Sequence, residues 1–207
     1  MKVLLVNGSP HENGCTDAAL RVVETALREA GIETQRFWIG TDPIGGCTAC
    51  GGCSKIRACV RNEIVREFAA LADEADGFVF GSPVHYAGIS GNLAAFMDCL
   101  FFSQSRERFR MKPAACVLSA RRAGTTAAYD QLIKYFGISE MPIVSSCYWN
   151  MVHGAKAEDV AQDAEGVRCM RVLGKNMAYL LRAFEAGKAA GLELPEVEPV
   201  VRTNFIR

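Results

Sequence analysis

Four cysteines lie close together in the first third of the chain. Cys47, Cys50, Cys53 and Cys59 have the spacing C-x2-C-x2-C-x5-C, whereas the other five of the nine cysteines are scattered. Thiolates at such spacing can converge on one centre, and the run is similar to the bacterial iron-sulfur pattern C-x2-C-x2-C-x3-C-P. Four thiolates also form a common structural zinc site. The spacing therefore favours a 4Fe-4S cluster and leaves open a zinc ion or a loop of reduced thiols without a ligand.

A polar loop follows the first apolar run of the chain. Residues 8–17 read GSPHENGCTD and precede a helical pattern. The polar side chains of Ser9, Asn13 and Thr16, together with the free N–H groups of a first helical turn, suit a phosphate. The loop lacks the Lys of a nucleoside-triphosphate loop and the glycine spacing of a dinucleotide loop. We expect it to bind a terminal monophosphate such as that of FMN; the alternative is a polar turn that only caps the helix.

Two further loops follow later apolar runs. Residues 82–91 carry His85 and Tyr86, either of which can stack on a planar ring. Residues 119–126 carry Arg121 and Arg122, whose guanidinium groups can pair with a nicotinamide dinucleotide phosphate or an acidic substrate. The alternatives are a half-buried aromatic pair in the first loop and a solvated charge in the second.

The pattern of apolar residues predicts the elements that position these loops. We predict strands at 2–7, 33–39, 78–83, 114–119 and 141–147, and helices around 17–30, 64–72, 93–101, 129–137 and 173–184. This alternation predicts an α/β fold with a doubly wound, five-stranded parallel sheet of flavodoxin-like order and a cysteine-rich loop after strand two. Ligands of such sheets bind at the carboxyl ends of the strands, where the three polar loops would meet.

Length and charge narrow the function classes. The 207 residues suit one α/β domain, which we place at 1–190, followed by an extended tail at 191–207. Lys and Arg together number 23, as do Asp and Glu, so no positive field favours nucleic acid. No apolar run approaches the roughly 18 residues of a membrane span. The first apolar run stops at Asn7, before a signal peptide could form, and we expect a cytoplasmic protein.

Three segments together resemble the NADPH-dependent FMN reductase and iron-sulfur flavoprotein families of flavodoxin-like proteins. They are residues 8–16, the cysteine run at 47–59 and the segment DGFVFGSPVHY at 76–86. The resemblance implies an FMN-dependent NAD(P)H oxidoreductase that takes electrons from a reduced nicotinamide and forms a homodimer or homotetramer. It also implies a 4Fe-4S cluster on the four clustered cysteines, and a small-molecule electron acceptor or a redox protein as partner.

The resemblance also assigns residues to FMN. Ser9, His11, Asn13 and Thr16 would hold the phosphate, and Cys15 stands where the family often has Asn. The full set of expected FMN-binding residues is Ser9, His11, Asn13, Gly14, Cys15, Thr16, Pro83, Val84, His85, Tyr86, Gly88, Ser119, Arg121 and Gly124. No side chain is expected to react, because the flavin carries the chemistry.

Two other functions stay open at this point. A non-catalytic flavin electron carrier or redox sensor acting on a protein partner would use the same residues. A protein without flavin, in which the cysteine loop is a structural zinc module, is the other alternative. We also predict that the aromatic run at residues 148–154, which includes Trp149 and follows the fifth predicted strand, contributes to an oligomeric flavin pocket.

Overall fold

The fold is built on a central parallel sheet. The structure, a computed structural model, describes residues 1–103, 106–199, 201 and 203–205. The strands are β1 (Lys2–Asn7), β2 (Glu33–Trp38), β3 (Gly77–His85), β4 (Gly88–Ile89), β5 (Ala114–Ala120) and β6 (Met151–His153). Five of them are parallel, in the order β2-β1-β3-β5-β6, and β4 pairs antiparallel with β3. The predicted doubly wound, flavodoxin-like sheet is confirmed, as is the cysteine-rich loop after β2.

Helices cover both faces of this sheet. They are α1 (Cys15–Glu29), α2 (Cys53–Ile56), α3 (Glu63–Asp73), α4 (Gly91–Ser103), α5 (Arg106–Phe109), α6 (Thr125–Ile138) and α7 (Ala164–Ala189), with a 3₁₀ helix at Ala157–Gln162. Leu4 and Val6 of β1 pack with α3, α4 and α6, whereas Val3 and Leu5 pack with α1 and α7. Burial on both faces explains why β1 is a continuous apolar run in the sequence.

The fifth strand differs from its prediction. Within the predicted strand 141–147, Ile143 forms only an isolated parallel bridge with Ala114. The chain then leaves the sheet at residues 145–150 and rejoins it as β6, which pairs with β5. Pro142 has no N–H group for a sheet ladder. Its carbonyl accepts from the N–H of Ala114 at 2.9 Å, and the N–H of Val144 donates back to the carbonyl of Ala114 at 2.8 Å. Met141 and Val144 are buried and Ile143 is exposed, so the apolar run at 141–144 lies against the sheet without forming a regular strand.

The C-terminal region follows the long helix α7. Of the predicted tail at 191–207, the described residues form neither helix nor strand, and residues 200, 202, 206 and 207 lie outside the described part. The tail still touches the domain, because the side chain of Arg110 donates to the carbonyl of Pro195 at 2.6 Å. The division into a domain at 1–190 and a tail stays a prediction. Among the described helices, none is long and apolar enough to cross a membrane.

Candidate functional site

A cavity of about 530 Å³ opens at the carboxyl ends of β1, β3, β5 and β6. We call it the strand-end cavity; its volume lies in the range of about 300–1,000 Å³ that is usual for small-molecule sites. Its lining residues are Ser9, His11, Asn13, Gly14, Cys15 and Thr16 after β1, Pro83, Val84 and His85 of β3, Ser119, Ala120 and Arg121 of β5 and its following loop, and residues 154–158 after β6. The three loops singled out in the sequence therefore meet at one cavity.

Three of the predicted FMN-binding residues, Tyr86, Gly88 and Gly124, do not line the strand-end cavity. Tyr86 and Ala87 form the two-residue tip between β3 and β4, and both have positive φ, 49° and 60°. The Tyr86 side chain is fully exposed at this tip. Gly124, with φ of 94°, lies against the tip, since a Cβ there would be 2.8 Å from the Cα of Ala87. Gly124 thus shapes the loops around the cavity without lining it.

The loop after β1 is held by hydrogen bonds to its own backbone. Asn7 Oδ1 accepts from the N–H of Ser9 at 3.0 Å, and Ser9 Oγ accepts from the N–H of His11 at 3.0 Å. Asn7 Nδ2 donates to the carbonyl of Glu12 at 2.9 Å. Asn7 is buried, and the sequence analysis missed its role, although Asn followed by Gly after a strand is a turn signal. These bonds fix the loop in place around the cavity.

Helix α1 begins at the edge of the strand-end cavity. Its N-cap residue is Gly14, which makes no side-chain cap, and the N–H of Ala18 is bonded to the carbonyl of Gly14 at 2.9 Å. The N–H groups of residues 15–17 therefore precede the first intrahelical bond, at the positive end of the helix dipole. Because the N-cap carries no side-chain bond, capping alone does not account for the polar loop. This helix end suits a bound phosphate.

Two contacts join α1 to the strands behind it. The hydroxyls of Thr16 and Ser119 are 2.8 Å apart and both residues are buried. The thiol of Cys15 donates to the carbonyl of Gly154 at 3.5 Å. Burial raises the pKa of the Cys15 thiol, and the negative charge of Asp159 raises it further, so that this donor stays protonated at neutral pH. Both contacts hold the helix end against the cavity walls.

One wall of the strand-end cavity is formed by residues 154–158. Gly154 ends the aromatic run that the sequence analysis singled out, but residues 155–158 were missed. Had the fifth strand been placed at Met151–His153, the rule that ligands bind after parallel strands would have identified the whole segment. The wall is fixed by Asp159, whose carboxylate accepts from the N–H groups of Ala155 and Lys156 at 2.9 and 3.1 Å.

The aromatic run before β6 lies on the surface. The rings of Tyr148 and Trp149 are in edge contact, with centroids 4.6 Å apart, and both side chains are exposed. Neither ring lines the strand-end cavity. Trp149 therefore takes no part in the cavity within one chain, and its contribution to an oligomeric pocket stays a prediction.

The four clustered cysteines share a second cavity of only about 20 Å³. We call it the cysteine cavity; the cysteines that line it are Cys47, Cys50, Cys53, Cys59 and, from α4, Cys99. Within the part of the chain that the structure describes, no three His, Cys, Asp or Glu side chains are arranged to hold a metal ion. The thiols thus face one cavity without having converged on a centre.

Asn62 connects this loop to the rest of the domain. Its Nδ2 lies 2.9 Å from the carbonyl of Gly45, 3.1 Å from the sulfur of Cys99 and 3.7 Å from the sulfur of Cys59. Burial raises the pKa of Cys59, but hydrogen bonds from neighbouring N–H groups outweigh it and leave that pKa below its usual value. Burial and the nearby Cys59 raise the pKa of Cys99 to about 11. No pattern in the sequence indicates Cys99, because only tertiary packing brings it to this cavity.

Known proteins are similar to this chain in sequence and in fold. The sequence pattern of the family described as NADPH-dependent FMN reductase matches residues 1–156. An iron-sulfur flavoprotein of Methanocaldococcus jannaschii is 29% identical over 197 residues, covering 89% of this chain and 100% of the relative. An iron-sulfur flavoprotein of Methanosarcina thermophila is 24% identical over 193 residues, covering 91% of this chain and 99% of the relative.

Solved structures have the same fold. RosB with a bound intermediate, 8-demethyl-8-formylriboflavin-5'-phosphate, has a TM-score of 0.70 at 14% identity, covering 100% of this chain and 92% of RosB. At such low identity the likeness shows the fold alone.

Proposed function

Because the chain belongs to the NADPH-dependent FMN reductase family, we propose that it is an FMN-dependent NAD(P)H oxidoreductase. The observation that carries the proposal is the strand-end cavity, which combines a free helix end with the carboxyl ends of four parallel strands. Bound FMN would supply the redox chemistry, accepting electrons from NADH or NADPH and passing them to an acceptor. The chain supplies binding, orientation and access from solvent.

The loop at residues 9–16 would hold the FMN phosphate. Ser9, Asn13 and Thr16 line the cavity beside the free N–H groups at the start of α1. Asn13 Oδ1 accepts from the side chain of Arg21 at 3.2 Å, which leaves the Asn13 Nδ2 group free to donate to a ligand. Lys156, from the wall at residues 154–158, adds positive charge to the same cavity. A doubly charged phosphate group matches this set of donors.

The flavin ring would lie at the other end of the cavity. Pro83 and Val84 provide an apolar surface there, and His85 and Arg121 provide polar groups close to it. A positive group such as Arg121 stabilises the negative charge that a flavin gains on reduction. The fixed backbone of β3 would hold the ring in one orientation.

We further propose that Cys47, Cys50, Cys53 and Cys59 hold a 4Fe-4S cluster, which would supply single-electron transfer. The support is that the four thiols line one cavity and that the loop can bend around it. Ala49 and Gly51, on either side of Cys50, have positive φ of 50° and 72°. The loop would have to close around the cluster, since its thiols have not converged.

The proposed partners are a small-molecule acceptor, such as a quinone or a free flavin, or a redox protein. We propose a homodimer or homotetramer, supported by the exposed aromatic side chains of Tyr86, Tyr148 and Trp149. All nine cysteines are free thiols, which supports a reducing, cytoplasmic location.

The proposal is tested on protein purified without oxygen. We expect flavin absorption bands with about one FMN per chain, and about four irons with acid-labile sulfide, the count of a cubane cluster. NADPH or NADH should then be oxidised in the steady state when a quinone or free flavin is added. A colourless protein would contradict the flavin, and flavin bands without iron would contradict the cluster alone. Bound flavin without turnover would favour an electron carrier or redox sensor.

A further inference from the structure

Two cysteines that lie next to each other are apart from both cavities. The sulfur atoms of Cys147 and Cys169 are 3.8 Å apart. Neither residue lines the strand-end cavity or the cysteine cavity. The two sulfurs are in van der Waals contact, and a shift of less than about 2 Å would bring them to the length of a disulfide bond. The two residues are therefore placed for a covalent link.

Cys147 lies where the chain can make this shift. Residues 145–149 run between the isolated bridge at Ile143 and β6 and belong to no strand. Next to Cys147 the segment contacts α7 through Ser145, whose carbonyl accepts from Asn176 Nδ2 at 2.8 Å. Cys147 is also exposed, so that a reagent in solution can reach its sulfur.

Cys169 provides a fixed partner. It lies on α7 and packs in the apolar cluster between that helix and the sheet. Burial raises the pKa of its thiol, and the neighbouring Cys147 raises it further. Because Cys147 is exposed and Cys169 is buried, oxidation should begin at Cys147, and Cys169 is the thiol placed within 3.8 Å to attack the oxidised sulfur.

We propose that Cys147 and Cys169 form a reversible intramolecular disulfide, with hydrogen peroxide as the oxidant. The sulfur of Cys147 attacks one peroxide oxygen, the O–O bond breaks, and one water leaves as a sulfenic acid forms. The sulfur of Cys169 then attacks the sulfur of Cys147, the S–O bond breaks, and a second water leaves. Two thiols lose two electrons and two protons in all, and one peroxide is reduced to two waters.

The disulfide would close a loop of chain that contains one wall of the strand-end cavity. Residues 154–158, which form that wall, lie between Cys147 and Cys169 in the chain. The link would tie the segment before β6 to α7 and restrict the unfolded chain. The oxidised protein should therefore have a higher unfolding temperature, by roughly 5–10 °C. This inference does not depend on the proposed cofactors.

The test is peptide mapping of the purified full-length protein after treatment with hydrogen peroxide and alkylation of the remaining thiols. We expect a linked peptide pair containing Cys147 and Cys169, about 2 Da lighter than the two thiol peptides together and separated again by dithiothreitol. Cys147→Ser, which changes an exposed residue, should abolish the pair. Cys169→Ser should leave a sulfenic acid on Cys147 that dimedone traps.

Two results would overturn the proposal. The first is that Cys147 and Cys169 are both alkylated after peroxide has already oxidised the cysteines at residues 47–59. The second is that Cys147 forms a disulfide between two chains and Cys169 stays a thiol. Because each thiol is followed by its own peptide, damage to a cluster cannot be mistaken for either result.

Discussion

The strand-end cavity and the cysteine cavity are built in opposite ways. The first is formed by the ends of parallel strands and the start of α1, and contacts such as the 2.8 Å pair of Thr16 and Ser119 hold its walls. The second lies in a loop whose regular structure is the four-residue helix α2, and Cys47 and Cys50 are exposed. The fold itself builds the first site, whereas the proposed cluster would have to organise the second.

The largest expected effect is the loss of iron from the cysteine loop while the strand-end cavity keeps its FMN. Cys50→Ser should remove nearly all iron from the protein, because one of four ligands is lost. FMN content and unfolding temperature should stay unchanged, because Cys50 is exposed and does not line the strand-end cavity. Iron analysis, flavin absorption and thermal unfolding of the same sample measure all three. Cys147→Ser is the matched control for removing an exposed thiol, and loss of FMN from Cys50→Ser would show that the sites are not independent.

Adding a methyl group to a glycine should destabilise the surroundings of the strand-end cavity and leave the cysteine loop unaffected. A Cβ at Gly8 would be 2.9 Å from the carbonyl oxygen of Gly81, whereas a Cβ at Gly45 would meet nothing within 4 Å. We expect Gly8→Ala to cost about 1–3 kcal/mol of unfolding free energy and to weaken FMN binding about tenfold or more. Urea unfolding and FMN titration of the apoprotein measure both. Equal losses in Gly45→Ala would contradict the idea that only one site is closely packed.

Removing a hydroxyl should likewise cost more stability at the strand-end cavity than in the cysteine loop. Thr16→Val would leave the buried hydroxyl of Ser119 without its partner and should cost about 1–2 kcal/mol. In the cysteine loop, the exposed Thr48 hydroxyl accepts from Arg61 at 2.8 Å, and Thr48→Val should cost less than about 0.5 kcal/mol. Urea unfolding measures both changes in unfolding free energy. Thr16→Ser, which keeps the hydroxyl, should retain most of the stability that Thr16→Val loses. A larger loss of stability in Thr48→Val than in Thr16→Val would contradict the idea that the strand-end cavity is the more closely packed site.

The same difference explains what the sequence could predict. β1 and the loop after it were predictable, because burial on both faces gives a continuous apolar run and the ligand-binding loop follows it directly. The role of Asn7 was missed because this residue belongs to the buried strand β1, from which its side chain bonds to the loop that follows. Cys99 could not be found, because only the packing of α4 against the cysteine loop brings it to that cavity.

The fifth strand shows where the pattern of apolar residues fails. Met141 and Val144 are buried, yet Pro142 lacks an N–H for a ladder and only the exposed Ile143 forms a bridge. The true strand, Met151–His153, has three residues, too few to show a period in the sequence. One misplaced strand hid residues 155–158 of the cavity wall, since a loop can be assigned to a site only when the strand before it is known.

The smallest expected effect asks whether the strand-end cavity is complete in one chain. Trp149 is exposed and lines neither cavity, so Trp149→Ala should change the unfolding free energy by less than about 0.5 kcal/mol. If chains assemble through this ring, the variant should dissociate at lower protein concentration in sedimentation experiments. FMN affinity should then fall in Trp149→Ala only where the wild type is assembled, and Tyr179→Ala, at another exposed ring, should change neither property. Unchanged assembly and FMN affinity in Trp149→Ala would mean that a single chain provides the whole pocket at this surface.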